Sequence, residues 1–215
     1  MKKNSLLLIL VLLMSLTQVK SQTIQNGTFE AGKNEFLLNG KPYIIRAGEI
    51  HYSRIPKVYW DHRIKMAKAM GMNTICIYLF WNYHEMEQGV FDWSGEKDVA
   101  EFVKLIQANG LYCIVRPGPY VCAEWDMGGL PWWLLKKTDL KVRRKSDQFF
   151  MDRVKIYLKE AAKQLAPLQI QNGGPIIMVQ VENEYGTWGD DQKYMEIMRV
   201  ATGHQIFNVT NSMGM

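Results

Sequence analysis

Two glutamates separated by one asparagine, Glu182-Asn183-Glu184, close the stretch GGPIIMVQVENEYG at residues 173–186. The apolar run before them has the character of a buried strand, and a carboxylate at the edge of a core is costly unless it has partners or a task. If that strand is regular through its end, Gln180, Glu182 and Glu184 share one face by the period-two rule. Two carboxylates beside aromatic rings and side-chain amides form the inventory of a sugar-cleaving site. One acid is held protonated to donate to the leaving oxygen, and another stays ionised to attack the anomeric carbon. Tryptophan and tyrosine offer flat apolar faces to the C–H side of a sugar ring, while Asn, Glu and backbone groups take its hydroxyls.

Comparable groups follow three earlier apolar runs: Gly48-Glu49-Ile50-His51-Tyr52, Trp81-Asn82-Tyr83-His84-Glu85 and Arg116-Pro117-Gly118-Pro119-Tyr120. Glu49 and Glu85 either line a common mouth or brace neighbouring loops, and Trp125, Trp132 and Trp133 either pack a long loop or touch sugar. His51 and His84 come without HExxH or a convergent Asp/His spacing, so they are expected to act as rim hydrogen-bonding groups with no metal. No cofactor motif is present either.

The elements that must position these groups follow from periodicity. Asn39-Gly40 between Phe36-Leu37-Leu38 and Tyr43-Ile44-Ile45 is a hairpin turn signal, and the second run is expected to continue to Glu49. A helix follows Pro56 with Trp60, Ile64, Ala67 and Met70 on one face and Gly71 as its stop. A strand over 74–80, a helix capped by Ser94 that buries Val99, Phe102, Val103 and Ile106, and a strand over 111–115 come next. A helix over 146–166 and a strand over 175–181 complete the order β-α-β-α-β-α-β. Strands that are continuously apolar and alternate with helices indicate a parallel sheet covered on its faces. No GxGxxG or GxxxxGK[ST] supports a nucleotide-binding sheet. Functional groups gathered after successive strands are the habit of the TIM barrel. The expected fold is therefore an α/β (β/α)8 barrel, of which this chain covers about the first four to five β/α units, with 206–209 starting the fifth.

The chain has 215 residues and is 47% hydrophobic, enough for a sizeable core. Its first 21 residues differ: Lys2 and Lys3 precede an apolar block at 5–16, followed by Val19-Lys20-Ser21. This is the pattern of a cleaved signal peptide, since about a dozen apolar residues fall short of the ~20 that span a bilayer. Residues 22–215 are then a partial catalytic barrel domain, secreted or periplasmic, with no membrane span after cleavage. Three of the net +5 charges are Lys2, Lys3 and Lys20, leaving +2 for the rest, too little to argue for nucleic acid or an anionic membrane. The basic run Lys141-Val142-Arg143-Arg144-Lys145 is expected to be a solvated loop and helix start. Cys76, Cys113 and Cys122 have no paired metal spacing, and the first two are expected to be buried thiols.

GGPIIMVQVENEYG, RPGPYVCAEWDMGGLPWWL, GEIHYSR and IYLFWNYHEMEQGVFDWSGEKD together resemble the glycoside hydrolase family 35 β-galactosidases over residues about 34 to 196. The resemblance implies a retaining hydrolase of terminal non-reducing β-D-galactose, with Glu184 as proton donor, Asn183 near the substrate 2-hydroxyl, and Tyr78, Ala123 and Glu124 as galactose-binding positions. It makes Glu182 a supporting carboxylate and puts the nucleophile glutamate beyond residue 215. Family members with a disulfide from the Cys122 position find its partner after the acid/base motif, where this chain has Thr187-Trp188-Gly189-Asp190-Asp191. The ending Asn211-Ser212-Met213-Gly214-Met215 does not resemble the family's continuation. The expectation is a truncated or frame-shifted product, inactive by itself; the alternatives are a non-catalytic galactoside-binding or vestigial protein and, third, a metal-dependent barrel hydrolase.

Overall fold

A computed structural model describes residues 26–203; the expected signal segment and the strand start at 206–209 lie outside them. A small antiparallel sheet comes first. β1 (Phe29–Ala31), which the sequence pattern did not single out, pairs with β2 (Phe36–Leu38), and β2 pairs with β3 (Lys41–Tyr43). Asn39 and Gly40 turn the hairpin with φ of 52° and 72°, the left-handed pair such a two-residue turn requires. The second run does not continue unbroken to Glu49: β3 ends at Tyr43, and Ala47–Glu49 is β4, the first strand of a different sheet.

That second sheet has the order β4-β5-β6-β7, with β5 Thr74–Tyr78, β6 Tyr112–Arg116 and β7 Ile176–Val179, all parallel. Between them run the helices α1 (Trp60–Ala69), α3 (Val99–Ala108) and α4 (Gln148–Leu165), with α6 (Gln192–Gly203) after the last strand. The one-turn helices α2 (Trp81–His84) and α5 (Tyr185–Trp188) sit at the ends of β5 and β7. Each crossover steps to the next strand in the same direction, without the reversal of a doubly wound sheet. The expected partial barrel is what forms.

The helices take the faces that their apolar spacing dictates. In α1, Trp60, Ile64 and Ala67 are buried, but Met70, expected on the same face, lies past the last helical turn and is 74% exposed. In α3, Val99, Phe102, Val103 and Ile106 pack inward. Its cap is not Ser94, which precedes a separate 3-10 turn at Gly95–Lys97; it is Asp98, whose carboxylate accepts from the Glu101 N–H at 2.8 Å. Asp147 caps α4 in the same way, accepting from Phe150 N–H at 2.9 Å. The core lies where these helices cover Ile75, Ile77, Cys113, Val115 and Ile176 of the sheet.

One departure decides the geometry of the site. β7 stops at Val179, so the period-two rule does not reach the two glutamates. Glu182 and Glu184 both have left-handed backbone, with φ of 62° and 55°. Each such residue breaks the alternation of a strand, and the two side chains do not share a face: Glu182 is buried and Glu184 is exposed.

Candidate active site

The chain turns sharply after β7 because Glu182 is drawn inward by its partners. Arg143 donates from Nε to Glu182 Oε1 at 3.0 Å and from a terminal nitrogen to Oε2 at 2.6 Å. The Tyr194 hydroxyl donates to Oε1 at 2.6 Å, and the Asn183 N–H donates to Oε2 at 2.6 Å. Burial and the adjacent Glu182 charge push the Tyr194 phenol well above its ordinary pKa, so it stays a donor. A fork of this kind satisfies a buried carboxylate geometrically as well as electrically. The basic run 141–145 is solvated only in part: Lys141, Val142 and Lys145 are exposed as expected, but Arg143 is drawn inward. Arg143 is largely buried between the rings of Tyr120 and Tyr185, 4.4 and 4.9 Å from their centroids, and Arg144 pairs with Asp190. Glu182 is a bracing carboxylate, and Glu184 stands exposed at the start of α5, its carbonyl accepting from the Thr187 and Trp188 N–H groups.

A second network ties the ends of β4, β5 and β6 to Asn183. Arg116, the last residue of β6, donates to Asn183 Oδ1 at 2.7 Å and to Glu49 Oε2 at 3.1 Å. Its guanidinium lies 4.0 Å over the Tyr78 ring. The bond to Oδ1 fixes the amide, leaving Nδ2 as the group that Asn183 presents elsewhere. Glu49 also pairs with His51 at 2.9 Å. Burial pushes the Tyr78 phenol up to about 12 even though Arg116 opposes the shift, so this hydroxyl is neutral in the working range. Burial likewise raises the Cys76 thiol to about 11.

Ala123 and Glu124 lie on the loop after β6 in three consecutive left-handed residues, Cys122, Ala123 and Glu124, with φ of 60°, 55° and 45°. Arg54, after β4, donates to the carbonyls of Ala123 and Glu124 at 2.8 and 2.9 Å and lies over the Trp125 ring. Trp125 stacks on Phe80 at 4.0 Å and donates to Asn82 Oδ1 at 2.8 Å. The loop is thus held to the ends of β4 and β5 by groups that leave the Glu124 side chain exposed. Tyr120 precedes it. A hydrogen bond with Cys122 raises the Tyr120 phenol, burial and the Glu184 charge add to this, and Arg143 opposes it.

The residues whose role the sequence left open divide into braces and rim. Glu85 is buried, accepting from the Trp81 indole and from Gly89 N–H at 2.7 Å, and Trp133 donates to its carbonyl at 2.9 Å from a buried position. Trp132 is exposed. His51 is a rim group as expected, but His84 is not: it is fully buried, stacked on Trp93 at 4.0 Å and bonded to Tyr52 and the Asp92 carbonyl. Among the described residues no group of His, Cys, Asp and Glu could hold a metal ion, all three cysteines are free, and no helix is long and apolar enough to cross a membrane.

Of the five implied site residues, Tyr78 and Asn183 meet through Arg116, and Ala123 and Glu124 are fixed as one loop by Arg54. None of these bonds joins the Glu184 side chain to either group. Arg54 and Arg143 were given no site role from the sequence, and Tyr120 was named only as part of the group that follows the third apolar run. Nothing local marks the two arginines, since the hydrogen-bond partners of their guanidinium groups are 39 to 70 residues away.

Comparison with known proteins bears on the family and the fold. The model of glycosyl hydrolases family 35 matches residues 35–215, running past the limit of about 196 at which the motif resemblance ends and through the tail set apart from it. The beta-galactosidase of Xanthomonas manihotis is 48% identical over 188 residues, covering 87% of this chain and 31% of its own length. That of Canis lupus familiaris is 42% identical over 203 residues, 94% of this chain and 30% of its own. The chain spans about a third of the length of these curated relatives. Among solved structures, an exo-beta-1,4-mannosidase from Opitutaceae bacterium strain TAV5 superposes with a TM-score of 0.60 at 14% identity, covering 82% of this chain and 31% of that one. A GH5_18 protein from Bifidobacterium longum subsp. longum superposes at 0.56 and 15% identity, covering 76% and 42%. At such identity these two likenesses bear on the fold, the (β/α) barrel.

Proposed function

This chain belongs to glycosyl hydrolases family 35, and from that premise we propose that it carries the acid/base side of a retaining β-galactosidase site. The observation that carries the reading is the exposed Glu184 in the turn that follows the fourth parallel strand, directly after an Asn183 whose amide is fixed by Arg116. On this reading Glu184 gives its proton to the glycosidic oxygen as the bond from that oxygen to C1 breaks. A second carboxylate attacks C1 to form the glycosyl ester. Glu184 then takes a proton from the water that releases β-galactose. Asn183 directs Nδ2 toward the 2-hydroxyl, and Tyr78, Ala123 and Glu124 bind the terminal galactose.

The attacking carboxylate is proposed to come from the part of the relatives' length that this chain does not span. Support comes from the engagement of three other carboxylates near the strand ends: Glu49 is paired with Arg116 and His51, Glu85 with Trp81 and Gly89, and Glu182 with Arg143 and Tyr194. The same engagement favours the second reading, in which residues 22–215 by themselves bind galactosides without turnover. The proposed route out of the cytoplasm, to the exterior or the periplasm, rests on the composition of residues 1–21. The testing experiment follows the anomeric proton by NMR while the product of the whole gene cleaves an aryl β-galactoside. β-Galactose as the first sugar formed supports the reading; α-galactose first, or no cleavage beside measurable sugar affinity, refutes the retaining enzyme.

A further inference from the structure

The loop that presents Glu184 is strained, and more of its hydrogen bonds run to Arg143 than to any other residue, beside one from Gln180 to the Glu182 carbonyl at 2.6 Å and one from Arg116 to Asn183 at 2.7 Å. Two non-glycine residues out of three, Glu182 and Glu184, have left-handed backbone, a strain that persists only where the surroundings over-determine it. The surroundings here converge on Arg143. Its guanidinium makes the two bonds to Glu182, and its terminal nitrogen also donates to the Asn183 carbonyl at 2.6 Å. Its own carbonyl accepts from the Tyr185 hydroxyl at 2.8 Å. Residues 182, 183 and 185 are therefore each bound to Arg143, and within this run only Glu184 is left for other work. The rings of Tyr120 and Tyr185 close over the guanidinium, and Tyr194, from α6, locks the far side of Glu182.

We propose that Arg143 is the positioning residue for the acid, an inference that rests on the reading of Glu184 above: the Arg143–Glu182–Tyr194 clamp holds the turn that points the Glu184 carboxylate outward. Lysine cannot replace it, because one ammonium does not supply a planar fork to Glu182 together with a bond to the Asn183 carbonyl. Arg143 does not touch substrate. Its effect passes through the direction in which Glu184 delivers a proton, so the loss on mutation depends on how much the leaving group needs that proton.

The test uses Arg143→Lys, Arg143→Met and the milder Tyr194→Phe in the product of the whole gene, with kcat/KM measured on two substrates. For an alkyl β-galactoside, which needs protonation, Arg143→Met is expected to lose about 10²-fold or more, the scale of general acid catalysis. For a dinitrophenyl β-galactoside, which departs without a proton, the expected loss is within about fivefold, because little of the general acid contribution applies. Arg143→Lys and Tyr194→Phe fall between wild type and Arg143→Met on the first substrate. Equal losses on both substrates would mean that Arg143 serves only the fold, and would overturn the proposal. A crystal structure of Arg143→Met decides it without activity: the proposal requires Glu184 to leave its left-handed conformation, and an unchanged turn refutes it. Absence of turnover in the wild type would instead refute the functional reading, leaving the crystallographic result to judge the clamp.

Discussion

Replacing His84 with glutamine should remove a specific slope from the dependence of stability on pH. His84 is fully buried; its Nδ1–H donates to the Asp92 carbonyl at 3.0 Å, and its Nε2 is bonded to the Tyr52 hydroxyl. The neutral ring can satisfy both bonds, and burial, with help from Lys97, lowers the pKa from 6.5 to about 4. The native state therefore stays unprotonated between those values, while the unfolded state takes up a proton once pH falls below 6.5. Stability contributed by the neutral ring is complete above that unfolded value and declines as pH falls toward 4. At about 1.36 kcal/mol per unit, lowering pH from about 7 to about 5 costs about 2 kcal/mol through this group. Urea unfolding of wild type and His84→Gln, followed by tryptophan fluorescence at the two pH values, isolates the contribution, because other titrating groups are common to both. Wild type should lose about 2 kcal/mol more than the variant over that interval. Identical losses, or an NMR titration of the His84 ring with a midpoint at the ordinary value, would refute the reasoning.

Two further outcomes follow from the loops and caps that hold the site. Gly128 has φ of 60°, and a Cβ there would lie 2.0 Å from the Tyr120 ring, so Gly128→Ala should expel that ring from Arg143 and lower stability by about 1–3 kcal/mol, read as a lower thermal midpoint. Asp147→Ala removes the acceptor of the Phe150 and Lys141 N–H groups at a buried helix start, and denaturant unfolding should show a loss of about 2 kcal/mol, the upper end for a helix cap; a change within about 0.5 kcal/mol, as at an ordinary surface position, would contradict it.

The order of elements was legible because it rests on local periodicity. The faces of α1 and α3, the hairpin at Asn39-Gly40 and the three apolar strands β5, β6 and β7 each declare themselves within a dozen residues. What depended on where helical backbone begins was not legible: Asp98 and Ser94 are both capable caps, and only the structure shows that a separate turn intervenes. The acid loop was misread for a related reason. A strand pattern continued past Val179 puts Glu182 and Glu184 on one face, whereas long-range bonds from Arg143 turn the backbone left-handed and send the carboxylates apart. Arg143 itself looked like part of a solvated basic run, because its partners come from segments about 40 residues on and its burial has no signature in Lys-Val-Arg-Arg-Lys. His84 was expected to be a rim hydrogen-bonding group for the same reason: the bonds to Tyr52 and the Asp92 carbonyl and the stack on Trp93 that accompany its burial leave no local signature.

The central claim is that Glu184 supplies the proton, and Glu184→Ala in the product of the whole gene, assayed with and without azide, tests it directly. The variant should lose about 10²- to 10⁴-fold in kcat/KM on an alkyl β-galactoside while still opening a dinitrophenyl β-galactoside to the glycosyl-enzyme. Azide, which attacks that ester without needing a base, should then restore turnover and yield β-galactosyl azide. Ordinary turnover of the alkyl substrate, or no azide product from a folded variant that still reacts with the activated one, would contradict the assignment.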